Sequence, residues 1–292
     1  MHHRIRPWHA APSLLLLSLS TVAVAQAEPT LAQLTELVTE AHRTAAATTI
    51  VSFRADLRIE ELARTAEEHR GQVELEVRFL DWKHPDTGRS YPLIRYRQTD
   101  SSRSIEHGRD REDYWAMADG KPQNMRSREL ATDLEHARRN IKLARQMVQL
   151  VDPSHLLATV QEPSLVHDEE LVQGRTLKTP CYTVTGKLPS FPLRQQDGEE
   201  AAVEAKLFVD KVSHRLIGLE VRPLPKDGET ASRDGEFVLL SEHRENQGRI
   251  VPTRIVHFAI DANGKRRAQM GVDLTTLDLD AKLEPAAFDR PE

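Results

Sequence analysis

The chain of 292 residues sets 40 Lys and Arg against 45 Asp and Glu, a formal net charge of −5 with 29% charged and 39% hydrophobic residues. This mildly acidic, mixed-sign composition lacks the basic face that non-specific nucleic-acid binding requires. A mean hydropathy of −0.53 with 13 Gly and 16 Pro describes a soluble, folded chain that is neither low in complexity nor disordered.

Arg4 and Arg6 precede an apolar run from Leu14 to Ala25, which ends in the small-x-small triplet Ala25-Gln26-Ala27. The run is too short to span a bilayer and no stop-transfer charges follow, so residues 1–27 read as a secretory signal peptide. Cleavage before Glu28 removes two arginines and no acid, which takes the net charge to −7. The mature chain is then expected in the periplasm or outside the cell. Cys181 is the sole cysteine, so no intramolecular disulfide can form and packing must supply the stability. The signal region has no cysteine for lipid modification.

Thr30 with Gln33 three residues later is a capping-box spacing, and the apolar period after it predicts a helix from Leu31 to Ala46. Val51, Phe53, Ala55, Leu57 and Ile59 alternate with polar residues, as do Val73, Leu75, Val77 and Phe79, the pattern of half-buried strands. Tyr91–Arg97 and Tyr114–Ala118 add two strands, with a charged hairpin connection, Asp100–Asp113, expected between them. From Ser127 to Val151 the period becomes helical. Leu130, Leu134, Ala137, Ile141, Ala144 and Val148 form one stripe, and Glu135, Arg138, Arg139, Lys142, Arg145 and Gln146 lie on an expected solvated basic side. Pro153–Leu157 begins a short helix. Strands follow at Leu165–Val172, Thr179–Gly186, Val203–Asp210, Leu216–Arg222, Phe237–Glu242, Ile250–Ile260 and Gln269–Thr275, with loops at Pro189–Glu200 and Lys226–Gly235. No composition break forces a second domain, so residues 28–292 read as one.

The order of helix, strand meander, interrupting helix and second meander resembles the LolA/LolB superfamily of lipoprotein-carrier proteins. The residues that carry the resemblance are Leu207-Phe208-Val209-Asp210-Lys211 before Arg215-Leu216, the segment Gly248–Pro252 and the closing Phe288-Asp289-Arg290-Pro291. The resemblance implies an α+β, β-rich fold in which a curved antiparallel sheet forms an incompletely closed barrel covered by helices around a cavity for acyl chains. It also implies a lid-latching arginine on an early strand, for which Arg54 and Arg58 are both candidates. The chain departs from the carriers in length, with expansions at Pro189–Glu200 and Pro225–Gly235.

Chemical motifs are absent from the sequence: there is no Gly-x-Ser-x-Gly, His-Glu-x-x-His or phosphate-binding glycine loop. His167-Asp168-Glu169-Glu170 are adjacent and do not converge as metal ligands should. No catalytic residue, metal or cofactor is therefore expected. The expected function is that of a monomeric, non-enzymatic binding protein holding a hydrophobic or acylated ligand, a lipid or the acyl chain of a lipoprotein, with no nucleic-acid partner and at most transient membrane contact. Expected ligand-binding residues are Phe53, Leu57, Val77, Phe79, Trp115, Phe208, Leu219, Phe237, Phe258 and Met270. The alternative is a cell-envelope structural or protein-interaction module with a filled core.

Overall fold

The computed structural model describes residues 28–43, 52–61, 72–83, 85–86, 88, 90–99, 104–110, 113–123, 142, 145–147, 149–173, 177–193, 201–225, 234–279 and 281–289. Helix α1 spans Leu31–His42 and α2 spans Pro153–Ala158. The strands are β1 (Ser52–Glu61), β2 (Gln72–Lys83), β3 (Ser90–Thr99), β4 (Ser104–Asp110), β5 (Asp113–Ala118), β6 (Lys121–Pro122), β7 (Gln161–Gln173), β8 (Leu177–Phe191), β9 (Ala201–Asp210), β10 (Leu216–Pro223), β11 (Gly235–Asn246), β12 (Arg249–Ile260) and β13 (Arg266–Asp278). A 3-10 turn at Pro285–Phe288 follows.

All 13 strands form one sheet in the order β6-β5-β4-β3-β2-β1-β13-β12-β11-β10-β9-β8-β7. Two antiparallel meanders are thus joined where β1 meets β13, with Leu57 opposite Leu274 and Ile59 opposite Val272. The edges, β6 and β7, are not paired with each other, so the sheet stays open. Right-handed twist accumulates over so many strands and curls the sheet, giving it an inner and an outer face. The connection from β6 to β7 joins its opposite edges. It carries helical residues at 142, 145–147 and 149–151, of which Gln146, Met147, Leu150 and Val151 are buried.

The capping box forms as the sequence predicts: the Gln33 N–H donates to Thr30 Oγ1 at 3.3 Å and the Thr30 N–H to Gln33 Oε1 at 2.8 Å. Helix α1 ends at His42, and the expected continuation to Ala46 lies outside the described residues. One correction concerns Asp100–Asp113, expected as a hairpin connection: it contains β4, paired with both β3 and β5. Its alternation is hidden because Ile105 is its one large apolar residue, the positions in step with it being His107 and Arg109; Gly108 lies opposite Trp115, where any Cβ would overlap the indole. A second correction concerns the basic side of the long helical stretch. Lys142 and Gln146, expected in solvent, are 8% and 0% exposed. The apolar stripe positions 130, 134, 137, 141, 144 and 148 lie outside the described residues.

Alternation along each strand divides the apolar residues between the two faces. The inner face gathers residues of α1, α2, β1–β3 and β8–β13 into one cluster, from Leu34 and Val38 through Phe53, Leu57 and Val77 to Leu207, Leu219, Ile255 and Val272. At about 2 kcal/mol for each fully buried large aliphatic side chain, this cluster is the main stabilising term of the fold. The outer face carries a smaller cluster of Leu171, Cys181, Phe208, Phe237 and Ile260, with Phe258 and Leu239 packed against it.

Candidate functional site

The inner face is not uniform. On β8, β9 and β10, Val184, Phe191, Val203, Leu207, Val209, Leu219 and Val221 are all 0% exposed, so the surface there is filled by neighbouring side chains. On β13, β1 and β2 closure is mixed: Phe53, Ala55 and Val272 are 0% exposed and Leu57 and Val77 2%, but Ile59 and Leu274 are 8%, Phe79 7% and Met270 5%. Leu274 lies opposite Leu57, Ile59 opposite Val272 and Phe79 opposite Phe53, whose ring stacks on that of Phe79 with centroids 5.7 Å apart.

Polar clasps hold the covering helices on this face. Asp152 caps α2, accepting from the His155 N–H and the Ser154 hydroxyl, and pairs with Arg43 after α1 at 3.1 Å and with Arg249 of β12 at 3.5 Å. Burial pushes the Asp152 carboxyl up, but the Ser154 hydroxyl, Arg43, the His155 N–H and Arg249 outweigh it and hold the group below the usual carboxylate range. Six residues earlier, the Gln146 amide donates to the Pro192 carbonyl at 2.5 Å and to Glu236 at 3.2 Å, both buried. Sequence reasoning missed all these groups, because Asp152, Arg249 and Glu236 are buried ionisable residues whose partners lie about a hundred positions away.

Of the residues expected to bind ligand, Phe53, Leu57, Val77, Phe79, Leu219 and Met270 lie in the inner cluster. Phe208, Phe237 and Phe258 lie on the outer face, where the Arg266 guanidinium stacks 3.7 Å from the Phe237 ring centre and Glu220 holds Arg266 and Arg222. Trp115 is on the outer face too: its indole lies against Gly108 and donates to the Phe288 carbonyl at 3.1 Å, beside Arg95, which donates to the Ala287 carbonyl at 2.8 Å. Thus the C-terminal 3-10 turn covers Trp115 away from the helices. Arg54 and Arg58 are exposed on the outer face of β1, and Arg54 pairs with Glu76 at 3.3 Å. Neither is aimed at the covering helices; the arginines that tie these to the sheet are Arg43 and Arg249.

The carboxylates of the His167–Glu170 stretch are held by separate lysines: Asp168 by Lys211, Glu169 by Lys206 and Glu170 by Lys178. Among the described residues no group of three or more His, Cys, Asp and Glu side chains could hold a metal ion. Burial raises the Cys181 thiol to about 11, so it is protonated and inert as a nucleophile at neutral pH.

A LolA superfamily protein from Nitrosomonas europaea is similar at 12% identity over 90% of this chain and 98% of that one, with a TM-score of 0.47. A putative outer membrane lipoprotein-sorting protein domain from Vibrio parahaemolyticus is similar at 10% identity over 89% and 97%, TM-score 0.44. A DUF1329-family protein from Desulfovibrio piger is similar at 11% identity over 89% and 97%, TM-score 0.45. No protein-family model and no curated protein matches the sequence.

Proposed function

We propose that this chain is a non-enzymatic binding protein of the cell envelope, periplasmic or secreted after removal of residues 1–27, that takes an acyl chain against the inner face of β13, β1 and β2. The observation that supports the reading is the uneven closure of that face: Ile59, Phe79, Leu274 and Met270 retain 5–8% exposure, while the inner residues of β8–β10 apart from Ala205 at 5% are at 0–1%. A single acyl chain needs only such a strip. Each methylene removed from water contributes about 0.8 kcal/mol, so a dozen would supply about 10 kcal/mol against an association cost of at least about 4 kcal/mol. No bond need be made or broken. The ligand class is a lipid or a lipoprotein acyl chain, and the residues assigned to it are Phe53, Leu57, Val77, Phe79 and Met270, with Ile59 and Leu274 added.

Titrating the protein spanning residues 28–292 with a fluorescent fatty acid tests the reading. Saturable uptake is expected, and Ile59→Trp, which fills the strip, should abolish it while leaving the circular dichroism spectrum unchanged. The sealed packing of β8–β10 favours a second reading, an interaction module with a filled core. The absence of saturable uptake would decide for that one.

A further inference from the structure

The clasp between α1 and the sheet includes two histidines placed where a ladder ends. Strands β10 and β11 pair from Gly218 to Val221 against Leu239 to Glu236, and Leu216 lies beyond the paired stretch. Both of its backbone groups are taken up by imidazoles. The Leu216 N–H donates to His42 Nε2 at 3.0 Å, and the Leu216 carbonyl accepts from His243 Nε2 at 3.2 Å. Because His42 accepts at Nε2, its proton sits on Nδ1, from which it donates to the Ile250 carbonyl at 2.9 Å. One imidazole at the end of α1 therefore ties the helix to β10 and to β12, and its second nitrogen is usable only while unprotonated.

The surroundings oppose a positive charge at either ring. His42 is 2% exposed, and its ring centre lies 5.8 Å from that of His243. Burial lowers both histidines, and Arg215, just before β10, lowers them further; against this, His42 gains from the Ile250 carbonyl and Asp152, and His243 from the Leu216 carbonyl and Asp210. Asp152 is already shared between Arg43 and Arg249, which face the same junction from α1 and β12. A proton on His42 Nε2 would point at the Leu216 N–H, donor against donor, and a second proton on His243 would add like-charge repulsion.

We propose that proton uptake by the His42–His243 pair undocks α1 from the sheet and uncovers the inner apolar face, so that ligand is held near neutral pH and released in acid. The release rests on the acyl-binding reading above; the undocking does not. Hydrogen exchange of residues 28–292 at pH 7 and pH 5, corrected for intrinsic rates, tests it. Protection of the α1 amides should fall roughly twentyfold, the ratio set by the His243 value of about 4 against an ordinary 6.5. The amides of Val238 and Ile255 should keep their protection. In His243→Gln the side-chain amide still donates to Leu216 but cannot take up a proton, and the loss at pH 5 should shrink to a few-fold. Equal α1 protection at the two pH values, the same loss in the variant, or loss of the core strands as well would overturn the switch. Should the variant not fold, an NMR titration of the wild-type rings decides, and two ordinary values near 6.5 would overturn it. A fluorescent fatty acid should bind more weakly at pH 5 than at pH 7, by up to that same twentyfold. Undocking with no uptake at either pH overturns the acyl reading alone.

Discussion

Asp152 offers the sharpest test of how the covering helices are held. Replacing it with Asn keeps an oxygen for the His155 N–H and the Ser154 hydroxyl but removes the charge facing Arg43 at 3.1 Å and Arg249 at 3.5 Å. Removing one partner of a buried pair costs about 3–5 kcal/mol. Here Arg43 is 28% exposed at its side chain and recovers hydration, whereas Arg249 at 5% does not, so a loss at or just below the bottom of that range is expected, about 2–3 kcal/mol. Asp152→Ala also loses the cap, adding about 1 kcal/mol. For a domain of this size these losses lower Tm by about 4–12 °C for Asn and about 6–16 °C for Ala. Urea unfolding of both variants, with Arg43→Met completing a double-mutant cycle against Asp152→Asn, measures the coupling directly. A loss below about 0.5 kcal/mol for Asp152→Asn, the value of an exposed pair, would refute the claim that this carboxylate clasps α1 and β12.

Three further outcomes follow from the same geometry. Gly108→Ala puts a methyl into the Trp115 indole and should cost about 1–3 kcal/mol by overpacking, with a shift in tryptophan emission as the ring leaves the Phe288 carbonyl. Arg54→Ala, at a side chain 52% exposed, should change stability by less than about 0.5 kcal/mol and leave fatty-acid uptake intact, whereas a latching arginine would lose binding. Glu106 and Glu220 are pushed up by burial but held lower overall by Arg95 with Arg97 and by Arg222 with Arg266. Their folded values lie below the unfolded ones, so their contribution is present above about pH 4.5 and is lost as pH falls through the depressed values. Thermal unfolding followed from pH 5 to pH 2 should show Tm falling over that range, more shallowly in Glu220→Gln; a flat profile would contradict the assignment.

Much of the secondary structure was legible because its causes are local. The Thr30–Gln33 capping box and the alternations at Phe53–Ile59 and Val73–Phe79 each state their conformation within a few residues, and the order of elements carried the resemblance to the lipoprotein carriers. Strand β4 was missed because neither of its faces carries an apolar period: His107 and Arg109 stand in step with Ile105, and Glu106 and Gly108 alternate with them. The site was half legible. Alternation says that Phe53 and Leu57 share a face, and likewise Phe208 and Asp210, but it does not say which of a strand's faces will be covered by helices.

By itself, then, the sequence determined the antiparallel β-rich architecture, the start of α1 and the absence of known catalytic motifs, all from patterns a few residues long. The tertiary structure alone decided that β1 closes onto β13, that Phe208, Phe237 and Trp115 lie outside while Phe79 and Met270 lie inside, and that Asp152, Arg249 and His42 form the clasp. These depend on contacts between residues up to about two hundred positions apart, such as His42 with Ile250, where burial and a partner's charge give an ordinary polar side chain its role.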